Sequence, residues 1–244
     1  IRNDFRFKNY WFKTGTLSFL VKLFREGDYN LATFEYLTVG EELLESFDIE
    51  NITFETIMFQ SGYLTIKDIE EVGNNTFYHL SFPNIEVKKS FNDYVLSNHF
   101  VNRSKKVAVQ IALYKLLAKS DLDGLKQVLK SLFASIAYNN FTNNYIENYE
   151  GFYASVIYAY FAGGGFDDIK AEDVTNGGRI DLSVFIDDKV YIFEFKVNQT
   201  GALAQIKAKK YHERYLADYN EIYIVGVEFD STQRNITGYE WEQI

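Results

Sequence analysis

The sequence predicts a chain of mixed class, α+β followed by α/β: a mostly helical N-terminal region carrying one β-ribbon, then a segment in the order α-β-β-β-α-β. Three observations predict it. Apolar residues recur at helical spacing before residue 140, most clearly at Leu122, Leu125, Leu129, Leu132 and Ile136. A run rich in Val, Ile, Phe and Tyr, from Gly177 to Val197, is broken only by Asp187-Asp188 and reads as a β-hairpin. Helical and extended patterns then alternate to the C-terminus.

Near the start, Leu17, Leu20, Val21 and Phe24 mark an amphipathic helix that ends at Gly27. Lys13-Thr14-Gly15 just before it is a chance tripeptide, since no S-x-x-K accompanies it. Residues 31–100 read as a small α+β unit. A helix over Thr53–Gln60 runs into the turn and short strand of residues 61–66, Thr76–Phe82 alternates until Pro83-Asn84 stops it, and Ile85–Ser97 is helical again. Helices followed by a ribbon and another helix suggest a winged-helix-like module, a DNA- or protein-binding unit or simply a packing domain. Its first part is acidic, which disfavours contact with phosphates on that side.

Two helices occupy residues 104 to about 140, and the first ends near Ser120. Ser120 with Asp123 three positions on predicts the N-terminus of the second. The Asn-rich run 139–144 breaks the pattern and sets the boundaries 1–100, 101–144 (a helical connector) and 145–244. In the last segment a helix covers about Ile146–Phe161 and a strand Asp168–Val174. The hairpin follows, then a helix over Ala202–Tyr219 and a strand over Glu221–Phe229.

With Asp187-Asp188 as a two-residue loop, facing residues have numbers that sum to 375, so Asp181 lies opposite Glu194 and Lys196 shares the face of Glu194. The same face carries Phe185 and Ile192, so it is not an ordinary wet face of an antiparallel sheet. Like charges opposite one another are destabilising unless neutralised, and a hard divalent cation is the usual remedy.

Composition excludes several classes. The 244 residues are 47% hydrophobic, which suits packed cores, and there is no cysteine to form disulfides or thiolate metal sites. No run reaches membrane-spanning length, and the opening residues are not a signal peptide, so a cytoplasmic location is expected. Ile1 in place of Met points to a processed or truncated piece. A net charge of −9 requires any nucleic-acid contact to be local, and Lys207, Lys209, Lys210 and Arg214 make one helix locally basic. His79, His99 and His212 are scattered, so a zinc site is not expected, and no P-loop or G-x-S-x-G elbow occurs.

Asp181 followed thirteen positions later by Glu194-Phe195-Lys196 resembles the signature of the PD-(D/E)xK nuclease superfamily, with Ile180 in the proline position. The order of elements is similar to that family's restriction-endonuclease-like core. Glu150 stands where many members place an acidic residue in the first helix, and Glu147 one turn earlier is an alternative. Gln205 stands where one branch places a glutamine; that branch's tyrosine four residues on is here Lys209, and the nearest tyrosine is Tyr211. Gly178–Leu182, Ala204–Ile206 and Tyr223–Val227, with Trp11–Phe24 and Gln60–Glu86, resemble AAA-ATPase-like proteins that end in such a nuclease domain. The resemblance implies Mg2+ or Mn2+ held by Asp181, Glu194, the Phe195 carbonyl and Glu150. It also implies catalysis by these residues with Lys196 and Gln205, nucleic acid (DNA first) as substrate, and an ATPase-like half upstream. A catalytically silent, nuclease-like binding or assembly domain is the alternative.

Overall fold

The computed structural model describes residues 19–20, 23, 30–41, 52–96, 103–136, 150–164, 166 and 168–244. The predicted helix at residues 17–24 lies almost wholly outside them, as do Lys13-Thr14-Gly15, Glu147 and the break at 139–144. In chain order come a 3-10 turn at Leu31–Glu35, β1 (Leu37–Gly40), α1 (Phe54–Gln60), β2 (Thr65–Val72), β3 (Asn75–Ser81) and α2 (Ile85–Val95). Then follow α3 (Arg103–Ala118), α4 (Leu122–Ala134), α5 (Glu150–Ala162), β4 (Asp168–Thr175), β5 (Gly178–Ile186) and β6 (Lys189–Val197). The chain closes with α6 (Ala202–Lys209), a 3-10 turn at Tyr211–Tyr215, β7 (Glu221–Asp230) and β8 (Asn235–Gln243). Among the described residues no helix is long and apolar enough to cross a membrane.

The N-terminal ribbon is not alone: β1 joins it, giving a three-stranded sheet in the order β1-β3-β2. Four residues are too few for an alternation to be read in the sequence. The second sheet has the order β4-β5-β6-β7-β8, antiparallel except for the parallel pair β6–β7 that α6 connects. The core therefore ends α-β-β-β-α-β-β, with one strand more than predicted. Strand β8 escaped prediction because its register slips between Glu228↔Gly238 and Phe229↔Ile236. Its buried residues Ile236 and Tyr239 are then three apart instead of two.

Helix α5 is the axle of the molecule. Every residue from Gly151 to Ala162 is buried, as expected of a helix that is apolar all round. One side meets the five-stranded sheet, where Tyr153 stacks on Phe229 with ring centroids 4.4 Å apart. The other meets the Leu31–Glu35 turn, α2 and α3. Buried residues from Leu31 to Tyr239 belong to one apolar cluster, so the N-terminal elements share a core with the sheet. Glu35 is buried in that seam, where it pairs with Lys88 and accepts a hydrogen bond from the Tyr158 hydroxyl.

Helices α3 and α4 differ from expectation at their junction. Asp121, not Ser120, caps α4, its carboxylate accepting from the Gly124 N–H at 2.8 Å. Ser120 has a left-handed backbone (φ 55°) and turns its hydroxyl to the sheet, where the Lys189 ammonium donates to it at 2.9 Å. Capping and tertiary anchoring compete for adjacent side chains, and Ser120 goes to the anchor. Asp121→Ala should lower stability by about 1 kcal/mol, read as a shift in the urea midpoint with an unchanged slope.

Candidate active site

The hairpin register follows the predicted sum, from Ile186↔Lys189 to Leu182↔Phe193. One residue further the ladder stops. The Asp181 carboxylate takes the Phe195 N–H itself, at 2.7 Å. On the other side of β5, β4 pairs Ala171↔Leu182 and Asp173↔Ile180 but leaves out Glu172 and Asp181. The strands open at Asp181, and carboxylates from three neighbouring strands gather there.

Glu194 sits at the centre, only 1% exposed. Its Oε1 accepts from Lys196 Nζ at 2.9 Å and from Gln205 Nε2 on α6. Its Oε2 is buried and has no hydrogen-bond partner among the described residues. Gln205 reaches β6 because α6 lies very close to the sheet. A Cβ on Gly226, the β7 residue beside Glu194, would stand 2.4 Å from the Leu203 backbone nitrogen. Glu228 helps to seat the helix, its carboxylate accepting from the Gly201 N–H at 2.6 Å at the positive end of α6.

Helix α6 is shorter than the predicted Ala202–Tyr219. It ends at Lys209, Lys210 adopts a left-handed backbone (φ 54°), and a 3-10 turn follows. This break swings the buried Tyr211 towards the site, where it stands beside Gln205. The turn carrying Gly178 admits the tyrosine, since a Cβ there would lie 2.9 Å from the Tyr211 hydroxyl. A cleft of about 420 Å3 opens beside Tyr211, lined also by Asn176, Lys210 and Arg214.

The electrostatics follow from burying like charges. Burial, then the charge of Glu194, push Asp181 up to about 8. Burial also raises Glu194, against the hydrogen bond and charge of Lys196. Glu150, the exposed first residue of α5, is raised by its partial burial, against the pull of Lys196 and Arg179. Burial would lower the Lys196 ammonium, but the hydrogen bond and charge of Glu194, with Glu150 and Asp181 behind it, hold it above its ordinary value. Asp181 and Glu194 thus behave as a pair that shares a proton when nothing else neutralises it.

A divalent cation fits the pair. An unpartnered buried carboxylate oxygen requires an explanation, and Glu194 Oε2 beside Asp181 is a hard oxygen donor of the kind Mg2+ or Mn2+ takes. Among the described residues no three His, Asp or Glu side chains form a ligand group, so Glu150 acts on the pair through its charge. Phe195 lends its N–H to Asp181 and buries its ring on the α5 side.

The predicted basic helix is largely self-neutralised. Lys207 pairs with Glu242, Lys210 with Glu213 at 3.2 Å and Arg214 with Asp173 at 3.2 Å. Glu172 and Tyr211 were missed as site residues. Glu172 looks like any polar strand residue, and Tyr211 is two positions late for a regular helix.

A sheet opened at an aspartate, with E-x-K on the next strand and a helix glutamine on the glutamate, is the arrangement that the sequence resemblance implies. Residues 148–239 match the family model of the PD-(D/E)XK nuclease superfamily. Over 242 residues, 98% of its length, the chain is 39% identical to a protein of Azotobacter chroococcum mcd 1 described as an uncharacterized protein in the vnfD 5' region. It spans 47% of that relative, about half. No solved structure matches the chain.

Proposed function

We propose that this chain is a metal-dependent nuclease that hydrolyses phosphodiester bonds, with DNA as its first candidate substrate. The observation that carries the reading is the pair of half-buried Asp181 and buried Glu194, whose Oε2 has no partner while Lys196 stands on its Oε1. Asp181 and Glu194, with the Phe195 carbonyl, would hold Mg2+ or Mn2+, and Glu150 would reach it through water. The bound cation supplies a Lewis acid for the phosphate oxygens and lowers the pKa of nearby water.

The chain's own residues do the rest. Gln205 donates to Glu194 and fixes which oxygen remains free, and Tyr211 packs beside Gln205. Lys196 keeps its proton and places a compact positive charge beside the carboxylates, where negative charge grows as the phosphate is attacked. The cleft at Tyr211, Lys210 and Arg214 gives a strand a route to that point. The reading extends to an ATPase-like upstream half, supported by the resemblance of Trp11–Phe24 and Gln60–Glu86.

A second reading, a silent nuclease-like domain that binds or assembles, is favoured by one observation: acids neutralise most of the basic residues of α6 and the following turn. Cleavage of plasmid, linear duplex and single-stranded substrates with Mg2+ or Mn2+ separates the two. Turnover that disappears in chelator and in Asp181→Ala is expected. No turnover by the complete protein on any substrate would leave the silent domain.

A further inference from the structure

Glu172 is an outlier in both backbone and position. It has a left-handed backbone (φ 54°) in the middle of a strand, a strained conformation for a non-glycine residue. It stands at the place where β4 and β5 stop pairing, beside Asp181. The distortion re-aims its side chain out of the alternation of the strand, as irregular strand residues beside functional sites do.

The carboxylate so placed is held from two sides. Asn30 Nδ2 donates to its Oε1 at 3.1 Å, and Asn30, itself buried, accepts from the Ser155 hydroxyl of α5 at 3.1 Å. On the other side Arg179 Nε lies 2.5 Å from Glu172 Oε2. The Arg179 side chain is 62% exposed against 13% for Glu172, so a fixed acid lies against an exposed guanidinium as an ion pair, while its Oε2 takes no hydrogen bond. Among the described residues the two Nη groups of Arg179 have no further partner, which leaves them open to solvent and to an outside ligand. The charge of Arg179 acts on both Glu150 and Glu172, which puts it at the rim of the carboxylate site, two residues before Asp181.

An exposed surface ion pair alone would return little stability, too little to offset a strained backbone and a mostly buried carboxylate. A guanidinium kept in place by a fixed acid beside its Nε has its Nη donors as a planar fork, the geometry that matches two phosphate oxygens. We propose that Arg179 binds a phosphate of the nucleic-acid substrate at the rim of the site, and that Glu172, anchored by Asn30, is the positioning residue that aims it. The proposal deepens the nuclease reading and rests on it.

The test is binding of a fluorescent oligonucleotide by the complete protein in Ca2+, over a series of salt concentrations, together with kcat and KM in Mg2+. Arg179→Ala should weaken binding about tenfold and reduce the salt slope by about one, mainly through KM. Glu172→Gln is the sharper variant. It removes a negative charge next to the substrate path, so by charge alone it should tighten binding; loss of aim should weaken it several-fold. The double variant should bind no worse than Arg179→Ala, because the two act as one unit.

Tighter binding by Glu172→Gln, or full additivity in the double variant, overturns the positioning role. Wild-type binding by Arg179→Ala overturns the phosphate contact, while a wild type that still cuts keeps the nuclease reading. A wild type that neither cuts nor binds any oligonucleotide removes both. If Glu172→Gln melts early, Arg179→Lys decides the matter. It keeps the charge but loses the fork, and binding equal to wild type would overturn the proposal.

Discussion

Lys196→Ala should lower the cleavage rate by about a hundredfold or more while leaving the fold and most of the Mn2+ affinity in place. Removing one pre-placed donor or charge from a site where negative charge develops typically costs that much. Lys196 is well suited to the role because the hydrogen bond to Glu194 at 2.9 Å holds it in position and keeps it protonated. Ammonium groups are not ligands for hard cations, so the loss should fall on kcat more than on metal binding. Single-turnover cleavage beside Mn2+ calorimetry measures both. A variant that cuts at the wild-type rate would deprive the lysine of its role. One that loses Mn2+ and activity together would show that its part is to hold Glu194.

The metal-free protein should lose stability as pH rises from about 4 to about 8, the reverse of a protein held by salt-bridged carboxylates. Asp181 is pushed up to about 8 in the folded chain, whereas an unfolded aspartate titrates near ~4. Between those values the folded state binds the extra proton, so stability is greatest at the acid end and declines as pH rises through the folded value. In chelator, Asp181→Asn should flatten the slope and be more stable than wild type at the alkaline end. The expected gain is on the order of 2–3 kcal/mol, since Glu194 shares the proton. Saturating Mn2+ should close that gap, adding about 2.7 kcal/mol to wild type at a hundred times its Kd and nothing to the variant. Thermal melts at several pH values, with and without Mn2+, give all four quantities. A wild type whose stability in chelator rises steadily with pH would mean that the pair is not strained.

The hairpin and its site were the most legible part of the chain. Its strands are adjacent in sequence, Asp187-Asp188 sets the loop, and a period of two then determines which side chains share a face. Asp181, Glu194 and Lys196 could be brought together on that reasoning, and Gln205 by its place in the next helix. Elements with a regular period were found for the same reason. Failures came where the period breaks: the cap that moved from Ser120 to Asp121, the helix that stops at Lys210, and the slipped register of β8.

The sequence by itself determined the helices and strands with unbroken periods, the hairpin register as far as Leu182↔Phe193, and the meeting of Glu194 with Lys196, because all of these are short-range. Only the tertiary structure decided what surrounds that face. Asn30 meets Glu172 across 142 positions, Arg214 meets Asp173 across 41, and Tyr211 meets Gln205 only because a left-handed residue turns the chain between them. Those meetings depend on how separate elements pack round α5, and packing is set by volume and burial summed over the whole core, which no local pattern encodes.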